Sequence, residues 1–120
     1  MRTVNVNEIT DNIKEMCIEA NHFLSDDMKD AVNHAAESDI SVLWRDILCQ
    51  LQENLEIAQK EMIPICQDTG MAVIFMKIGQ DVHFIGGNLE NAIHEGVRQG
   101  YVEGYLRKSV VSDPLIRENT

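Results

Sequence analysis

The stretch Ile63–Gly79, "IPICQDTGMAVIFMKIG", is where the texture of the chain changes. Before Pro64 apolar residues recur at helical spacing, whereas after Gly70 they run together in "MAVIFMKIG", a short segment rich in residues that suit a pleated sheet. A buried strand over 71–78 is the expectation. Gly79-Gln80-Asp81 then reads as a tight turn into "VHFIGG", so that 71–78 and 82–86 form a β-hairpin. Between the helical and extended parts lies Cys66-Gln67-Asp68-Thr69-Gly70, a thiol at a bend followed at once by an amide, a carboxylate and a hydroxyl.

Upstream, Ile9, Ile13, Met16, Cys17, Ala20, Phe23 and Leu24 recur as one apolar stripe and predict a helix over about 7–24. Ser25 ahead of "DDMKDAVNHAA" combines a capping residue with two aspartates at the positive end of a helix dipole, and a shorter helix follows to about residue 37 with Met28, Val32 and Ala35 inward. From Ser41 a third helix carries Trp44, Leu48, Leu51, Leu55 and Ala58 on one face. Cys17 and Cys49 read as small apolar residues in helix packing, since neither has polar companions, and they are set aside as ligands.

Downstream, Gly86-Gly87 ends the extended part, and Asn88 is a good N-cap for a helix over about 89–106. Gly96, Gly100 and Gly104 fall on one row of that helix. Such a row lowers helix propensity and lets another backbone approach closely, so a tightly packed neighbour is expected there. The final "RKSVVSDPLIRENT" has an apolar core and a turn at Asp113-Pro114, with no closing element evident. The fold class is therefore α+β: a helical N-terminal half packed on a small mixed sheet containing the hairpin, with the glycine-row helix alongside.

Composition narrows the function. The 120 residues suit one domain, divided in texture into a helical part over 1–60 and a loop, hairpin and helix part over 61–120. No apolar run approaches the roughly 20 residues of a bilayer span, and the N-terminus lacks the apolar core of a secretory signal, which points to the cytoplasm and reduced thiols. The formal charge of -10 opposes nucleic acid and anionic membranes as partners, so an anionic ligand needs a local set of cations and N–H groups. Three cysteines without any C-x2-C spacing exclude a self-contained zinc ribbon or thioredoxin motif.

On chemistry alone, Cys66 offers a soft thiolate suited to iron–sulfur or zinc, Gln67 both donates and accepts hydrogen bonds, and Asp68 can move a proton. A turn with an incidental cysteine explains the same residues. Arg107, at the end of the glycine-row helix, can present a bidentate fork to a carboxylate or be a solvated helix-end arginine; Lys108 beside it reads as solvated. His83 within the hairpin is a conceivable base or ligand, while His22, His34 and His94 sit on polar helix faces and read as solvated.

Two long motifs then match one pattern. "PICQDTGMAVIFMKIG" followed by "GGNLENAIHEGVRQGYVEGYLRKSVVSDPLIRENT" strongly resembles the N-terminal region of the iron–sulfur hydro-lyases, the class I fumarate hydratases and the L(+)-tartrate dehydratase alpha subunits. The likeness is dense from about residue 60 to 120 and looser before it. It implies a 4Fe-4S cluster held by three cysteines, of which Cys66 matches one; Gln67 and Asp68 match positions beside the substrate, and Arg107 matches an arginine that pairs with a substrate carboxylate. The base that removes the C–H proton is expected further along such a chain. Relatives of this kind continue into a Gly-Asp-Asn-Thr-Pro stretch, so the resemblance implies an N-terminal fragment, inactive and without an intact cluster by itself. Its partners would be a dicarboxylate, the remainder of the alpha chain, a C-terminal domain or beta subunit, and further copies in a homo-oligomer. Two rival readings are a helical interaction module and a zinc or redox site of Cys66 with His83.

Overall fold

A computed structural model describes residues 1–38, 41–66 and 70–119. In order, the elements are β1 (Arg2–Asn5), α1 (Val6–His22), α2 (Asp26–Ser38), α3 (Val42–Glu61), β2 (Val82–Ile85) and α4 (Leu89–Glu103). The class is α+β. The chain divides into two compact units, one of Met1–Ile18 with the described residues from 70 onward, the other of Glu19–Cys66.

In the first unit β1 and β2 form a two-stranded parallel sheet, with Thr3 opposite His83 and Val4 opposite Phe84. This corrects the expected hairpin and mixed sheet. The turn does form, since the Val82 N–H donates to the Gly79 carbonyl at 3.2 Å, but the segment before it makes no ladder. The partner of β2 comes instead from the N-terminus, and the Arg2 N–H donating to the Asp81 carbonyl at 2.8 Å extends that pairing. A strand needs a neighbour to satisfy its backbone groups, and apolar composition by itself does not supply one. Residues 71–79 accordingly belong to no strand, and the expectation of burial fails as well: Val73 and Phe75 are 68% and 94% exposed. Only Ile74 of this run packs against the core.

That core is formed by α1 and α4 with the chain that follows α4. Ile13, Cys17 and Leu106 are buried, and Ile9, Val97 and Tyr101 pack against them. The glycine row is what admits α1. A Cβ on Gly96 would stand 2.7 Å from the Thr10 carbonyl oxygen, and one on Gly100 would stand 2.8 Å from the Cys17 Cβ. Around the seam, the Thr10 hydroxyl donates to the Ala92 carbonyl at 3.0 Å, and Lys14 pairs with Glu103 at 3.1 Å. The α4 N-terminus is closed as its sequence suggests, with the Asn91 N–H donating to the Asn88 side chain at 3.0 Å.

The second unit is held more lightly. The faces of α2 and α3 meet, and Gln52 donates to Asn33 at 2.7 Å, but no residue of α2 is buried and Ala58 is the buried residue of α3. Trp44 and Leu51, expected inward, are 56% and 49% exposed, as is half of Met28. Cys49 is also exposed, which corrects its reading as a packing residue. His22, expected in solvent, is 3% exposed. The Ile65 N–H donates to the Asn21 carbonyl at 2.7 Å, so the chain leaving α3 passes the end of α1.

Candidate active site

Two backbone anchors set the position of Cys66. The α3 helix stops at Met62, which turns into the left-handed region at φ 52° and returns its N–H to the Ala58 carbonyl. The chain then runs past Pro64, fixed by the Ile65 to Asn21 bond, and the Cys66 N–H donates to the Asn54 Oδ1 at 3.4 Å. The thiol that results is exposed, unlike that of Cys17, whose burial pushes its pKa up. A soft, accessible donor on a tethered backbone is the form a metal ligand takes. No group of three or more His, Cys, Asp or Glu that could hold a metal ion gathers among the described residues. His83 stands on β2, opposite Thr3 and exposed. Gln67 and Asp68 lie outside the described residues.

Arg107 is placed from two sides. Helix α4 ends at Gly104, Tyr105 takes a positive φ of 54°, and the next residue, Leu106, drives its side chain into the core at 4% exposure. With Leu106 anchored and its N–H donating to the Tyr101 carbonyl at 3.1 Å, Arg107 emerges exposed directly after the core. On the other side stands Gly70. A Cβ at this buried glycine would collide with the Arg107 carbonyl group, its carbon lying 2.7 Å away, so only glycine permits the approach. The Gly70 N–H, in turn, donates to the Ser109 hydroxyl at 3.3 Å. The structure thus brings the last residue of the "CQDTG" motif against Arg107–Ser109, joining two pieces that lie far apart in sequence.

Sequence reasoning passed over what supports this junction. Asn119 donates from its side-chain amide to the carbonyls of Lys108, at 3.2 Å, and Val110, at 2.9 Å, which flank Ser109. Asn119 is itself placed by a small closed loop, contrary to the expectation that the final segment has no closing element. Asp113 accepts from the N–H groups of Leu115 and Ile116, at 2.7 and 2.9 Å, and Val111 bridges antiparallel to Asn119. Those two N–H groups hold the Asp113 carboxyl below the usual carboxylate range. The Asp113-Pro114 turn was the available signal, and a terminal asparagine after it gave no pattern to read.

An open groove of 840 Å³ begins at this junction, lined among others by Gly70, Met71, Ile74, Tyr101, Lys108 and Asn119. Its charged wall is partly spent on itself, because Glu95 accepts from Arg98 and Gln99, at 2.5 to 2.7 Å, and its carboxyl is held down at about 2 by those contacts. Of the cations that line this groove, Arg98 and Lys108, the second lies next to the junction in sequence.

The family model described as fumarate hydratase (Fumerase) matches residues 10–120. The chain belongs to that family. A Methanocaldococcus jannaschii relative, provisionally named L(+)-tartrate dehydratase subunit alpha, is 35% identical over 113 residues, which is 93% of this chain and 39% of that protein. The anaerobic class I fumarate hydratase of Escherichia coli K12 is 44% identical over 63 residues, 52% of this chain and 11% of its own length. The L(+)-tartrate dehydratase subunit alpha of the same organism is 24% identical over 106 residues, 88% of this chain and 35% of its own. This fumarate hydratase family chain thus spans well under half the length of the curated relatives it matches, whose names are those of hydro-lyases. Among the described residues no helix is long and apolar enough to cross a membrane.

Proposed function

We propose that this chain is the part of an iron–sulfur hydro-lyase that supplies one cluster ligand and one carboxylate-binding arginine, and that the whole enzyme reversibly hydrates fumarate to malate. The observation that carries the reading is the contact of Gly70 with Arg107 and Ser109: within a fumarate hydratase family chain, it ties the end of the cysteine motif to the arginine segment. Cys66, exposed and tethered, is the ligand this chain contributes to a 4Fe-4S cluster. When bound, such a cluster supplies an open iron that acts as a Lewis acid toward the substrate hydroxyl.

The roles of this chain's own side chains follow from their chemistry. The Arg107 guanidinium, planar and permanently charged, binds one substrate carboxylate through two parallel N–H donors and so orients the dicarboxylate. Gln67 steadies the substrate with a donor and an acceptor on one short side chain, and Asp68 moves a proton or orients the hydroxyl, beside Cys66 in sequence. The general charge of -10 repels a dicarboxylate, so local cations, Arg107 and its neighbour Lys108, must outweigh the field of the whole. The base for C–H abstraction is assigned outside this chain, as are the remaining cluster cysteines, and a C-terminal domain or beta subunit with further copies completes the enzyme in the cytoplasm. By itself the 120-residue chain, as one domain of that larger alpha chain, carries no cluster and no turnover.

A second reading is favoured by one observation, the 35% identity over 93% of the chain to the relative named for L(+)-tartrate dehydratase. In that case the same residues bind tartrate, which loses water to give oxaloacetate, and the partner is a beta subunit. Anaerobic reconstitution of the natural gene product with iron and sulfide, wild type beside Cys66→Ser, followed by assays with malate and L-tartrate, tests both. Cluster absorbance and turnover that vanish together in the variant support the ligand role, and the substrate consumed selects the reading. A gene product that takes up no cluster, or a variant that retains full activity, overturns it.

A further inference from the structure

The junction between Gly70 and Arg107 depends on two residues that no motif marks, Ser109 and Asn119. Arg107 has a long, flexible side chain, so its usefulness to a carboxylate depends on where its backbone stands. That backbone touches Gly70 closely enough to forbid a side chain there. The contact is van der Waals in nature and has no directional preference of its own. Direction comes from the Gly70 N–H, which donates to the Ser109 hydroxyl at 3.3 Å, a long bond that tolerates little further displacement. A serine hydroxyl swings about a single torsion, so its place is fixed only if its backbone is fixed. Asn119 does this by donating to the carbonyls on either side of Ser109, at 3.2 and 2.9 Å.

The Asp113 turn and the Val111–Asn119 bridge hold Asn119 in turn. The order of dependence therefore runs from the Asp113 loop to Asn119, to Ser109, to Gly70 and to Arg107.

From this geometry we infer that Ser109 and Asn119 are positioning residues, which clamp the Arg107 backbone against Gly70 and thereby set the affinity for a substrate carboxylate. The inference rests on the proposed role of Arg107, while the clamp itself is a property of this chain. Loss of Ser109 or of the Asn119 amide leaves the α1–α4 core untouched, because neither side chain belongs to it. Each loss frees the Gly70 N–H and lets Arg107 drift from its register. Binding suffers more than turnover, since Arg107 holds the substrate without taking part in bond making.

The test has two arms. Amide hydrogen exchange of the natural gene product, read at Gly70 with the amides of α1 and α4 as a folding control, compares wild type with Ser109→Ala, Ser109→Thr and Asn119→Asp. The aspartate keeps the shape of asparagine and removes its donors. Exchange at Gly70 should rise about fivefold in Ser109→Ala and Asn119→Asp, the worth of one ordinary hydrogen bond, and return toward wild type in Ser109→Thr. In the reconstituted gene product the same two variants should raise KM about fivefold or more with a smaller change in kcat. Unchanged exchange at Gly70 in both variants, with the core amides intact, overturns the clamp whatever the enzyme proves to do. Faster exchange with an unchanged KM overturns its role in binding. A gene product without hydro-lyase activity refutes the functional reading, and the exchange arm still decides the clamp.

Discussion

The two helix pairs of this chain are built from similar sequence and packed in different ways. In the Met1–Ile18 unit, α1 meets α4 along a row of glycines that removes every obstructing side chain, and the neighbours of that row, Ile13 and Cys17, are buried. In the Glu19–Cys66 unit, α2 meets α3 with apolar stripes of comparable spacing, yet no residue of α2 is fully buried and Trp44 stays 56% exposed. The difference teaches that an apolar stripe states which face could be buried, while small residues on the facing helix decide how closely burial proceeds. Close approach, more than hydrophobic content, separates the firm pair from the loose one.

The comparison breaks most readily at Ile13. Truncation by Ile13→Ala opens a cavity beside Cys17 and Leu106 and should cost about 3 kcal/mol, read as a shift in the urea midpoint. Gly100→Ala comes next. Alanine favours a helix by up to about 1 kcal/mol, but its methyl would meet the Cys17 Cβ at 2.8 Å and the Lys14 carbonyl oxygen at 3.0 Å, so a net loss of about 1–2 kcal/mol is expected. A stabilised Gly100→Ala protein would show that the seam yields freely.

Thiol labelling sharpens the contrast without mutation. Cys17, buried and with its pKa raised, should react at least about tenfold more slowly with a thiol-specific disulfide reagent at pH 7.5 than exposed Cys49 or Cys66. Met28→Ala, on the loose α2, should leave stability within about 0.5 kcal/mol, and a larger loss would mean that α2 is packed more firmly than its exposure indicates. The smallest effect is electrostatic. Folded Glu95 has its carboxyl lowered to about 2 by Arg98 and Gln99, below its unfolded value near 4.5, so its contribution is present above that value and fades as pH falls through 2. With its side chain open to solvent screening, it should shift the acid limb of a stability curve only slightly, and Glu95→Gln measured across pH 2 to 6 checks it.

Helices were legible wherever the chain punctuates them. Asn88 caps α4 as its side chain predicts, Ser41 precedes α3, and the glycine row announced a close neighbour before α1 could be named as that neighbour. Strands were not legible. β1 is "RTVN", with a single large apolar residue, and its partner is distant in sequence, so no local periodicity marks it. The apolar run 71–78 misled for the opposite reason: its composition suits a sheet, and no strand among the described residues pairs with it. At the candidate site, Cys66 and Arg107 came into view through the resemblance of their two motifs, since a cysteine at a turn and an arginine at a helix end each have an ordinary reading. Ser109 and Asn119 could not, since serine and asparagine are common on surfaces and only geometry gives them a task.

The parallel pairing of β1 with β2 also bears on the order in which the molecule assembles. Thr3 sits opposite His83, and Ile13 and Cys17 meet a helix that begins at Leu89. During synthesis β1 and α1 must therefore wait for residues about eighty positions later before they find their ladder and their core. Until then the stripe of α1 stands open to water, and a nascent chain stalled before α4 would offer it to chaperones or to neighbouring chains.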